Sequence, residues 1–140
     1  MASAVVFFVL IVFCHLTFLP ADATRFTLFD EKYYGGKSQD FHAAYYECQN
    51  LPRQVWNTAR SIKTYGRCIE LFTSVNCGDD RFVFKRDCIG SACCQNKNDF
   101  SSCKVNETDI VGKFQHYVTL DKAAKSYMSC SKPIRITIIH

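Results

Sequence analysis

No Gly-x-Ser-x-Gly elbow, His-Glu-x-x-His pair or phosphate-cradling glycine loop occurs in this sequence. The hydrolase, metallopeptidase and nucleotide-binding classes marked by those motifs therefore have nothing to rest on. Lysine and arginine never form a run. They are scattered among acidic residues, and a formal net charge of +4 at pH 7 reads as a mixed, solvated surface rather than a nucleic-acid footprint. No nucleic-acid partner is expected. Long helical periodicity is also missing, as is any amphipathic helix of membrane-lytic type.

The one long apolar run stands at the N-terminus. From Ala4 to Leu19 there is no Lys, Arg, Asp or Glu; Pro20 breaks the run, and Ala21-Asp22-Ala23 places small residues at the two positions that a signal peptidase reads. No basic residue precedes the run, so only the α-amino group supplies the positive end. A membrane anchor needs about 20 apolar residues and usually basic flanks, and this run is shorter. Residues 1–23 are read as a signal peptide. The mature chain is then secreted and extracellular, with no transmembrane segment, and one unit more basic through the loss of Asp22.

Of nine cysteines, Cys14 leaves with the leader. Cys48, Cys68, Cys77, Cys88, Cys93, Cys94, Cys103 and Cys130 remain, an even set behind a leader, which reads as a disulfide framework whose pairing spacing alone does not choose. Zinc is the competitor at Cys88-x4-Cys93-Cys94. However, no Cys-x2-Cys pair is followed by a second at finger spacing, and His42 and His116 are distant in sequence. Adjacent Cys93 and Cys94 are expected to staple different segments. Asn106-Glu107-Thr108 is a glycosylation sequon.

The apolar residues come in short β-rich runs with turn punctuation. Phe26-Thr27-Leu28-Phe29 leads through Asp30-Glu31-Lys32 to Tyr33-Tyr34-Gly35-Gly36, with Ser38–His42 as the return strand. Ser61 to Tyr65 forms another short strand. Cys68 to Phe72, the turn at Asn76 to Asp80, and Arg81 to Lys85 repeat the pattern. Phe29 recurs as Phe72 and Ser61 as Ser102, an internal repeat of about 40 residues. Two such motifs face to face make a small all-β sandwich.

At these residues the sequence resembles the βγ-crystallin family. Phe29-x4-Tyr34-Gly35-Gly36 is similar to the family's Tyr/Phe-x4-Tyr/Phe-x-Gly hairpin, and Ser61-Ile62-Lys63 to its serine-led fourth strand. The resemblance implies two Greek-key motifs, about 25–66 and 67–106, in a domain over 24–106. It is degraded in the second motif, where Cys77 stands at the aromatic position and Asp79 at the glycine. Residues 107–140 are then a C-terminal extension docked through Cys130. Its apolar end, Ile134 to Ile139, reads as an added edge strand or as an interaction strand open to a partner.

Members of that family bind calcium through Asn/Asp-Asn/Asp-x-x-Ser/Thr-Ser, which sets hard oxygen ligands on one bend. Aligned to its serine, the first segment is Trp56-Asn57-Thr58-Ala59-Arg60-Ser61, in which Arg60 puts a cation where a hydroxyl should bind. The second is Lys97-Asn98-Asp99-Phe100-Ser101-Ser102, so one weak calcium site is expected at Asn98, Asp99 and Ser101. The bland reading is a polar turn. His42, His116 and a lysine are the best catalytic set available, and nothing in their spacing unites them, so no enzyme is expected. The function that follows is a structural or binding module for a protein, glycan or membrane-surface target. The alternative is an effector on the same scaffold: a venom or salivary toxin, an antimicrobial or an inhibitor.

Overall fold

A computed structural model describes residues 23–108 and 115–132. Residues 1–22 of the segment read as a signal peptide and the Ile134–Ile139 stretch lie outside the described residues, so neither the expected cleavage nor the edge-strand reading is addressed by it.

Strand β1 (Thr24–Phe29) alternates as its sequence requires: Phe26 and Leu28 enter the core, while Arg25 on the other face is exposed. It pairs antiparallel with β2 (Ser38–Ala43), Phe26 opposite Phe41, and with β4 (Ser61–Lys63), Leu28 opposite Ile62. These three form the first sheet in the order β2-β1-β4. The second sheet, in the order β3-β9-β5-β6, contains β3 (Gln49–Asn50), β5 (Ile69–Phe72), β6 (Arg81–Phe84) and β9 (Ser126–Ser129). Between the sheets Phe26 stacks on Phe41 at 5.4 Å and meets Tyr127 of β9 edge-on at 5.0 Å. Ile62, Ile69, Leu71, Phe82, Phe84 and Phe100 complete a closed apolar interior.

One strand and one short returning segment cross between the two halves. β3 follows β2 in the chain yet pairs with β9 in the other sheet, and Leu51 N–H donates to Lys125 O at 2.9 Å. Reciprocally, residues 97–100 run beside β4: Ile62 N–H donates to Lys97 O at 2.8 Å and Phe100 N–H to Arg60 O at 2.9 Å. Neither half can complete its sheet hydrogen bonds alone.

Each half also carries the same folded hairpin. Between β1 and β2, Tyr33 sits at φ 57, ψ 32; between β5 and β6, Asn76 has the same angles. Ser61 Oγ accepts from Tyr34 N–H at 3.1 Å and donates to Glu31 O at 2.7 Å. In the second half Ser126 Oγ accepts from Cys77 N–H at 2.9 Å and donates to Ser74 O at 2.5 Å. Gly36 has φ +70, and a Cβ there would fall 2.0 Å from Asp30 Oδ1, so glycine is required. Asp79, its counterpart, holds φ 54.

This latch corrects the expected boundary of the second motif. Ser102 does not open its fourth strand; it is exposed, ends a 3-10 turn (Phe100–Ser102), and its hydroxyl donates to Asp99 O at 2.7 Å. A hairpin of β7 (Lys104–Thr108) and β8 (Gln115–Thr119) is inserted ahead of the fourth strand and displaces it to Ser126–Ser129. The segment read as an extension beyond residue 106 thus supplies a strand of the core sheet, with Tyr127 buried. No helix among the described residues is long and apolar enough to cross a membrane.

Ser126→Ala and Ser61→Ala should therefore each destabilise the protein by about 1–3 kcal/mol, because two backbone groups lose their partner. Ser102→Ala should cost less than about 0.5 kcal/mol. Urea unfolding of the three variants checks this; equal losses at Ser102 and Ser126 would refute the latch assignment.

Candidate functional site

The expected calcium residues come together at the junction of the two halves. Asp99 precedes the 3-10 turn, and its Oδ1 accepts from Ser101 N–H at 3.0 Å and from Ser101 Oγ at 2.7 Å. The cation facing these oxygens belongs to the protein. Lys32, on the first hairpin, donates from Nζ to Asp99 Oδ2 at 3.1 Å and to Ser101 Oγ at 3.0 Å. Asn98 contributes its backbone carbonyl to Tyr33 N–H at 2.7 Å; its side-chain Oδ1 is buried with no hydrogen-bond partner among the described residues. The Ser101 hydroxyl, the Ser101 amide and the Lys32 ammonium hold the Asp99 carboxyl below the usual carboxylate range, the hydroxyl contributing most.

With Ser126 as the true counterpart of Ser61, the second serine-aligned segment is Asp121-Lys122-Ala123-Ala124-Lys125-Ser126. Its geometry matches the first: Asn57 and Lys122 both have positive φ, 57 and 55. Arg60 and Lys125 fill the fifth position, where the calcium pattern requires a hydroxyl. Arg60 Nε lies 3.3 Å from Asp121 Oδ1, pairing a cation of the first half with the carboxylate of the second. Alignment to Ser102 had hidden Asp121. The run Ser126-Tyr127-Met128-Ser129, polar at both ends and packed with the core like Ser61 to Thr64, is the signal that marks it. Among the described residues no group of three His, Cys, Asp or Glu side chains is placed to hold a metal.

The catalytic candidates are not united. His42 lies exposed on β2 at the edge of the first sheet, whereas His116 lies on β8 in the inserted hairpin. Asn106 of the sequon is on β7, in register with Tyr117. Tyr34 packs edge-on against Phe29 at 5.6 Å within its hairpin, with Lys63 Nζ 5.0 Å over its ring. Tyr45 and Tyr46 pack on each other at 4.4 Å, and Tyr46 remains exposed.

The eight cysteines among the described residues all pair, as Cys48–Cys77, Cys68–Cys130, Cys88–Cys93 and Cys94–Cys103. Adjacent Cys93 and Cys94 do staple different segments. Cys77, at the position where the first hairpin has Tyr34, ties the second hairpin to the chain entering β3 of the first half. Cys68–Cys130 binds the start of β5 to the end of β9.

Two latched hairpins, with β3 crossing into the second sheet, make this an all-β, disulfide-stapled sandwich, the fold that the resemblance to βγ-crystallins implies. No protein family matches the chain by sequence, and no curated protein matches it. Among solved structures it is similar to the fifth crystallin domain of the non-lens protein Absent in melanoma 1. That likeness has a TM-score of 0.47 at 16% identity and covers 79% of this chain and 91% of that one.

Because the Asp99 carboxyl is held down in the folded protein, its contribution to stability is present above the unfolded value of about 4. It is lost as pH falls through the lower, folded value. Asp99→Asn should cost about 1 kcal/mol at neutral pH, and the gap to the parent should close on acidification. Melting curves between neutral and strongly acid pH test this; a gap that does not narrow rejects the role given to Asp99.

Proposed function

We propose that the protein is a secreted, non-enzymatic binding module of βγ-crystallin type, braced by disulfides and by its own cations where relatives of that type use calcium. The carrying observation is the pair of basic side chains at the junction: Lys32 against Asp99 and Ser101, and Arg60 against Asp121. Each already supplies a positive charge to the oxygens a metal would need, and a second cation entering there meets repulsion. Four disulfides suit an oxidising compartment and a small domain that works outside the cell. Their distribution supports binding through loops, since the staples hold the hairpin tips and connections rather than the strand centres.

The effector reading is the second one, favoured by a single feature. The short loop closed by Cys88–Cys93 presents a large apolar side chain, Ile89, to solvent.

Two measurements test the module. The melting temperature should move by less than about 1 °C between chelator and millimolar calcium, because a site at a hundredfold its dissociation constant would add about 2.7 kcal/mol and shift melting by several degrees. A shift of that size would overturn the internal-cation reading. The double variant Cys48→Ala/Cys77→Ala should lose about 2–5 kcal/mol under oxidising conditions; unchanged stability would reject the brace.

A further inference from the structure

We propose that the loop closed by Cys88–Cys93 is a docking finger for anionic phospholipid surfaces, with Ile89 entering below the headgroups and the surrounding cations pairing with them. This rests on the reading of the protein as a loop-borne binding module and names the partner.

Ile89 is 97% exposed, whereas Ile62, Ile69, Leu28, Leu51, Leu71 and Leu120 are all buried. Its exposure is built in. Beyond the disulfide, the returning limb of the loop is tied to β6: Val83 N–H donates to Ala92 O at 2.8 Å, and Cys94 N–H to Val83 O at 2.9 Å. Cys93 N–H closes the turn onto Gly90 O at 3.1 Å. Gly90, at φ +126 with nothing near its Cβ position, turns the chain back directly after Ile89. An apex ordered in advance loses little conformational entropy when it is buried by a partner.

Cations lie on several sides of this apex. A groove of about 580 Å³ is lined by Arg81 and Lys85 together with Ile89. A second, about 500 Å³, is lined by Lys104 with Ile89, and a third, about 330 Å³, by Lys85, Arg86 and Lys97. Arg81 is committed to Glu70 at 3.6 Å, and Lys97 donates to Thr64 Oγ1 at 3.2 Å. Lys85, Arg86 and Lys104 form no ion pair among the described residues, and Asp87 is the one acidic residue beside them in these grooves apart from Glu70. An acidic pocket on a protein would engage one side of such an apex. A planar anionic layer engages all sides at once, with the apolar tip at its centre.

The test uses the oxidised protein from a secreting culture, cosedimented with phosphatidylcholine vesicles that contain or lack phosphatidylserine. Binding is expected only with phosphatidylserine and should weaken as salt is raised. Ile89→Ser should lower the partition roughly tenfold, and Lys85→Gln and Arg86→Gln roughly fivefold each. Exposed positions leave folding intact, and unchanged melting of each variant establishes that. Absence of binding to phosphatidylserine vesicles, or an Ile89→Ser variant that binds as tightly as the parent, overturns the finger. Either result in a protein with an unaltered melting transition leaves the braced module standing, so the two readings fail separately.

Discussion

A serine hydroxyl, delivered late in each half of the chain, holds the architecture together. The folded hairpins at Tyr33 and Asn76 leave an amide and a carbonyl that no strand partner reaches, and a buried unpaired backbone group costs about as much as a lost hydrogen bond. Ser61 and Ser126 each satisfy both groups with one oxygen. Because the serine must sit at the start of the strand beside β1 or β5, it fixes where that strand begins. The position of Phe29 or Phe72 against the hairpin follows. β3, paired with β9, and the two backbone hydrogen bonds between residues 97–100 and residues 60–62 then bind the halves to each other.

The covalent bonds follow the same logic. Where the first hairpin is packed by Tyr34 on Phe29, the second has Cys77, and the bond to Cys48 replaces the missing aromatic contact with a tie across the halves. Cys68–Cys130 closes the ends of β5 and β9, the strand pair interrupted in sequence by the inserted hairpin. The remaining two bonds shape the connection after β6, where no regular strand runs and the chain is otherwise held by single backbone hydrogen bonds to Val83 and beside β4. Charge complements this: Lys32 with Asp99 and Arg60 with Asp121 span the junction between halves, so the interface is apolar at its centre and ion-paired at its margin.

Much of this was legible residue by residue. Alternation marks β1, β2, β5 and β6 within a residue or two, and Phe29, Tyr34 and Gly36 mark the first hairpin, where a Cβ at Gly36 would meet Asp30. Adjacent Cys93 and Cys94 announced separate partners. The second fourth strand is not legible, because Ser102 stands at the repeat distance of the first half while the latching serine is Ser126. Spacing cannot report an insertion, since a hairpin looped out between two strands leaves no mark on either. The calcium pattern at Asn98, Asp99 and Ser101 is aligned to that same Ser102. Asp99 and Ser101 do meet, but with Lys32 among them, a residue of the other half that no local pattern could bring near.

By itself, then, the sequence determined the class of structure: short alternating strands, turn residues at required backbone angles, and an even set of cysteines, all consequences of local sterics and composition. Only the tertiary structure decided which serine latches the second hairpin, which cysteines meet, and that the cations at the junction come from within the chain. Those outcomes depend on contacts between residues far apart in sequence. Their selection is made by which arrangement satisfies every buried polar group while closing the core, a condition on the whole chain rather than on any window of it.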